Sequence, residues 1–148
     1  MKKALVLAAA LLASAPMLAS AQFAKNEDAI RYRQSALTVM SRHFSLIAST
    51  VRGERPFNAA EVQANADVVA MMSHLPWIGF VAGAETKATK PEIWKDPAKF
   101  KEAADKLQTE TAKLQAAAKT GELAKIRTSF GAVGQSCKAC HDNFRNQP

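Results

Sequence analysis

The sequence predicts an all-α chain folded as an antiparallel four-helix bundle. Three observations carry that expectation. Apolar residues recur at heptad spacing, capping residues and glycines punctuate the stretches that hold them, and no alternating strand-like run with a hairpin signal is present.

The chain opens with Met1-Lys2-Lys3, continues through an apolar run from Ala4 to Leu12 and reaches Ala19-Ser20-Ala21, the layout of a secretory leader with an A-x-A cleavage site. Residues 1–21 are therefore expected to be a signal peptide. They do not suit a membrane anchor, because the apolar core is too short to span a bilayer and Pro16 interrupts its far end. The mature protein would start at Gln22 and work in the periplasm. Residues 22–148, 127 in number, suit one domain with a core of useful size. Without Lys2 and Lys3 the formal charge falls from +7 to +5. Basic residues are scattered along the helices with no clustered tract, which argues against nucleic acid as a partner.

Segment A runs from about Asn26 to Arg52. Ile30, Leu37, Phe44 and Val51 fall seven apart, with Met40 and Ile47 three residues after two of them, so the segment carries an a/d seam. Asn26 suits an N-cap, Glu27 and Asp28 suit the first turn, and Gly53 suits the stop. Segment B opens at Asn58, whose side chain can cap while Glu61 reaches back, and turns Val62, Ala66, Val69 and Met72 inward before Pro76 closes it. From Trp77 to Lys95 no helical stripe is visible and Gly79, Gly83 and Pro91 interrupt, the pattern of a long connection that contributes to a site.

Segment C begins with Asp96 as N-cap and Pro97 at the first helical position, presents Phe100, Leu107 and Leu114 at heptad spacing, and ends at Gly121. Segment D runs from Glu122 to about Arg145, with Leu123, Ile126, Phe130, Val133 and Cys137 along one face. Four amphipathic segments with one long connection describe the bundle, whose interior is a usual place for a cofactor.

Two cysteines in an exported chain would ordinarily suggest a disulfide. Here Cys137-Lys138-Ala139-Cys140-His141 is C-x-x-C-H, the attachment signature of one haem c, in which both thiols add to vinyl groups and the histidine ligates iron. Cys137 and His141 are four residues apart and share a helix face. A redox pair lacks the preceding strand, and a zinc site would need His43 and His74, neither suitably spaced.

A C-terminal C-x-x-C-H on the last helix of such a chain resembles cytochrome c prime. Tyr32-Arg33-Gln34-Ser35-Ala36-Leu37, Leu75-Pro76-Trp77 and Pro91-Glu92-Ile93-Trp94 are similar to that family along the mature chain. The resemblance implies a homodimeric bundle paired through its first two helices. It also implies a high-spin haem held by histidine on one side only, binding of nitric oxide and carbon monoxide, and electron transfer with a redox partner the sequence does not name. The surplus of apolar surface on segment A agrees with a homodimer.

A low-spin electron carrier, the alternative, takes Met or His as its second axial ligand. His43 lies off the seam, His74 suits the dipole at the end of segment B, and Met40, Met71 and Met72 read as core. The residue matching the family's distal apolar position is Leu37, which has no lone pair for iron and no acid–base group for enzymatic peroxide cleavage. Arg33 occupies a d position, where a charge needs a partner. It either snorkels at the bundle end or pairs a haem propionate, and the resemblance favours the propionate and, with it, haem contact by Gln34. Phe80 and Phe130 are the expected aromatic haem neighbours. Arg145, four residues past His141, either sits over the proximal side or complements the helix dipole.

Overall fold

The computed structural model describes residues 22–146; the leader expected over 1–21 lies outside the described residues. α1 spans Asn26–Val51, α2 Ala59–Met72, α3 Glu92–Lys95, α4 Pro97–Lys119 and α5 Leu123–Phe144, with a 3-10 turn at Pro76–Gly79. α1 packs on α2, α2 on α4, α4 on α5, and α5 returns to α1, so the four long helices close an antiparallel bundle as the sequence predicts.

The boundaries follow local chemistry. Gly53 and Gly121, at φ of +78° and +69°, stop α1 and α4 in the left-handed conformation that glycine adopts without a Cβ penalty. Asn58 Oδ1 accepts from Glu61 N at 3.1 Å, as its capping position requires. Glu61 does not reach back; its carboxylate pairs with Arg55 at 2.7 Å. Asp96 caps α4 by accepting from Lys99 N at 3.1 Å, with Pro97 in the first turn. The expected cap at Asn26 is corrected: Lys25 is the N-cap of α1, without a side-chain bond. Asn26 lies against Gly83 instead, where an added Cβ would stand 2.5 Å from its amide nitrogen.

The core joins Met40, Ile47 and Val51 of α1, Val62, Ala66 and Val69 of α2, Leu107 and Leu114 of α4, and Ile126 and Val133 of α5. The d positions of α1 are buried while Ile30, Leu37 and Phe44 at a are half-buried, so one apolar row of α1 lies at the edge of the core. Met71, read as core, is 62% exposed; Met72 beside it packs inward. A helix presents successive residues 100° apart, and only one of the pair can face the core.

The connection from α2 to α4 is more structured than its lack of periodicity predicts. Besides the 3-10 turn and α3, Trp94 Nε1 donates to Phe80 O at 3.2 Å and Val81 O at 3.1 Å, which folds the segment upon itself.

Candidate haem site

α5 carries the cysteine pair and His141 in its last three turns. Cys137 and Cys140 are half-buried free thiols, and Cys137 packs against the bundle core. Burial pushes both thiols up, Cys140 to about 11 with added repulsion from Cys137, so both stay protonated at neutral pH. His141, exposed on the last turns of α5, is shifted the other way, below its usual range, by partial desolvation and by the charge of Arg145, with Asp142 opposing. A neutral imidazole keeps a lone pair free for a metal. Among the described residues no three His, Cys, Asp or Glu side chains gather as a metal site of their own. The donor set of two thiols and one neutral imidazole on a single helix fits covalent haem c.

Arg33, from α1, is 2% exposed and does not snorkel. It donates from Nη1 to Gly79 O at 2.7 Å and from Nη2 to Ala84 O at 2.6 Å, and its guanidinium lies 4.6 Å from the centre of the Phe80 ring. Burial lowers its pKa, partly offset by Glu85. The approach is possible because residue 79 is glycine: a Cβ there would stand 2.6 Å from Ala29 O and 2.9 Å from Arg33 Cβ. The guanidinium has five N–H groups, so these two bonds leave donors for a further partner. Gln34, next in sequence, is exposed.

Leu37, one turn on from Arg33, is half-buried against the same core as Cys137. The two phenylalanines expected beside the haem fall in separate clusters. Phe80 joins Trp77, Phe100 and Phe144 in a group of edge-on and stacked rings, with Phe80 to Phe100 at 4.9 Å and Phe100 to Phe144 at 5.2 Å. Phe130 stacks on Phe44 at 4.3 Å, nearer the middle of the bundle. Arg145 is the C-cap of α5, exposed, with its backbone N–H on His141 O at 3.0 Å. His43 is bonded to Asn65 at 2.8 Å and His74 is exposed, while Met40 lies in the core.

The sequence did not reveal Trp94, Lys90 and Asn146 as supports of this end of the molecule. The partners of Lys90 and Asn146 lie 52 and 59 residues away and those of Trp94 lie 13 and 14 away within the connection, and no periodicity or short motif encodes such contacts.

A closed helical bundle with C-x-x-C-H near the end of its last helix defines a c-type haem protein of the bundle kind. The family model for Cytochrome C' matches residues 28–145. Cytochrome c' of Alcaligenes xylosoxydans xylosoxydans is 49% identical over 126 residues, 85% of this chain and 99% of that protein. The nitric oxide complex of a leucine-to-alanine mutant of cytochrome c prime from Alcaligenes xylosoxidans superposes with TM-score 0.82 at 47% identity, covering 86% of this chain and 100% of the other. A carbon monoxide-bound leucine-to-glycine variant from the same source gives 0.81 at 48%, over 85% and 100%. The chain belongs to the cytochrome c' family, whose cofactor is covalent haem c. No helix among the described residues is long and apolar enough to cross a membrane.

Proposed function

We propose that this protein is a periplasmic carrier of diatomic gases, able to transfer electrons and not an enzyme, with residues 1–21 removed on export and residues 22–148 acting as one domain. Cys137 and Cys140 would hold the haem covalently, His141 would be the one protein ligand to iron, and Leu37 would stand on the opposite side. When bound, the haem supplies an iron that takes small ligands and cycles between two oxidation states. The observation that carries the reading is that Leu37 of α1, apolar and half-buried, packs against the same core as Cys137, one helical turn before His141 on α5. The relatives complexed with nitric oxide and carbon monoxide support the choice of ligand.

Each side chain has a separate task. The thioether links fix the group to α5 whatever the strength of the His141 bond. Leu37 offers no lone pair, so it would leave its side of a bound haem iron without a protein ligand, and an incoming gas would have to push aside a packed isobutyl group. Arg33 would turn its remaining donors to a propionate, with Gln34 beside it, while Phe80, held against Arg33, and Phe130, stacked on Phe44, would border the ring from their separate clusters. Arg145 keeps positive charge near His141 and so favours the neutral imidazole.

The optical and EPR spectra of the purified protein should show five-coordinate, high-spin iron; a low-spin spectrum would overturn the reading. Burial of a whole leucine side chain is worth about 1.5–3 kcal/mol. Because Leu37 is only half-buried, Leu37→Ala should tighten carbon monoxide binding by about tenfold, equivalent to about 1.4 kcal/mol. Binding at the wild-type rate and affinity would show that Leu37 does not stand over the iron.

Two copies pair through α1 and α2 in this reading, supported by Val39 of α1 and Met71 of α2, both exposed apolar side chains. Sedimentation at micromolar concentration should give a homodimer; a single species near 15 kDa would count against it.

A further inference from the structure

The C-terminus of α5 lacks the glycine that commonly ends a helix. Its C-cap, Arg145, is extended at φ −120° and ψ 131°. The last four carbonyls of a helix have no partner within it, and at most sites water or a local turn takes them. Here a remote segment does so. Lys90 N donates to Phe144 O at 3.0 Å, and Lys90 Nζ donates to Asp142 O at 2.8 Å. Beyond the helix, Asn146 N donates to Ala88 O at 3.0 Å, while its side-chain Nδ2 reaches Lys87 O at 2.9 Å and Thr89 O at 3.3 Å. Thr89 and Arg145 form an isolated antiparallel bridge.

The receiving segment is itself closed. Thr89 Oγ1 accepts from Thr86 N at 2.7 Å and donates to Thr86 O at 2.9 Å, and Thr89 N donates to the same carbonyl at 3.0 Å. The same connection supplies Gly79 O and Ala84 O to Arg33 of α1. One strap therefore joins the end of α5 that bears His141 to the part of α1 that bears Leu37.

We propose that Asn146 and Lys90 are positioning residues for His141: by tying the last turn of α5 to residues 87–90, they set the imidazole's position against the iron. The proposal rests on the reading of His141 as the iron ligand. A ligand on the last turn of a frayed helix would move with the fraying, and outer supports of metal ligands normally restrict such movement. Asn146 is the informative position because its amide donates twice to backbone carbonyls. Asn146→Asp keeps the shape and removes both donors.

The test is made on the ferrous holoprotein, with the Fe–His stretch read by resonance Raman and amide hydrogen exchange read over residues 141–146. Asn146→Asp and Asn146→Ala should shift the stretch to lower frequency and speed exchange at Phe144 and Arg145 by about tenfold, as local opening becomes easier when the two amide bonds are lost. Asn143→Ala, on the same turn but bonded only to Ala139 O within the helix, should leave the stretch unchanged. If exchange quickens while the stretch stays at its wild-type frequency, the strap is structural only and the proposal falls. Wild-type values for both readouts in the Asn146 variants would also overturn it. A wild-type protein with no Fe–His stretch would instead remove the reading of His141 on which the proposal stands.

Discussion

At the end of the bundle where α1 finishes and α5 begins, the helices meet through aliphatic side chains: Ile47, Val51, Val62, Leu114 and Ile126 are all buried there. The opposite end is held by a buried guanidinium, four clustered aromatic rings and a strap of backbone hydrogen bonds. Antiparallel packing brings the start of α1 to the end of α5, so the haem motif necessarily falls at this second end. Dispersion and burial do most of the holding at the aliphatic end, where Arg127 Nε donating to Val51 O at 3.0 Å is a directional addition, because any well-filled shape there serves. The haem end must also leave room for a flat cofactor and aim particular atoms at it, which explains why directional bonds replace aliphatic packing.

The largest effect expected from breaking this contrast is at the attachment residues. Replacing Cys137 and Cys140 together with alanine should abolish covalent haem, since each thioether needs its sulfur. Haem staining after denaturing electrophoresis reads this directly, and a double variant that still stains would remove the haem end's defining feature.

At the aliphatic end, Leu114 is fully buried in the core. Leu114→Ala should lower stability by about 2–5 kcal/mol through lost burial and the cavity left behind. Urea unfolding followed by circular dichroism measures it. The haem spectrum should not change, because the cavity lies at the far end; a changed spin state would show that the two ends are mechanically coupled and the contrast is false.

This contrast also explains which parts of the molecule were legible in the sequence. The aliphatic end obeys the heptad rule, so Ile47, Val51, Leu114 and Ile126 could be placed by counting. Asn58 and Asp96 could be recognised as caps because capping is local. C-x-x-C-H was equally legible, being five consecutive residues on one helix. Asn26 suits a cap by residue type, but its side chain lies against Gly83, distant in sequence, and no local signal shows that packing. Met71 was misread because apolar character alone does not say which of two adjacent residues turns inward. The strap and the carbonyl partners of Arg33 depend on the path of the connection, which only the packed bundle defines. What the sequence did show for Arg33 was the anomaly, a charge at a seam position, without its resolution.

That anomaly supplies the smallest and most discriminating prediction. Arg33 spans two carbonyls, Gly79 O and Ala84 O, with two separate nitrogens of one planar group while its face lies over Phe80. Arg33→Lys keeps the charge and much of the length, but an ammonium is a single point and cannot reproduce the fork. One buried carbonyl should lose its partner, and a buried acceptor left without one costs about 1–3 kcal/mol. The connection that Arg33 fastens also carries Phe80 and, further along, the strap to α5. Arg33→Lys should therefore shift the haem absorption spectrum as well as the urea midpoint, although it destabilises less than Leu114→Ala. An unchanged midpoint would mean that the two carbonyls find other donors. A lowered midpoint with an unaltered spectrum would confine Arg33 to holding the connection, and the two ends would then differ in the kind of bond that closes them but not in their hold on the haem.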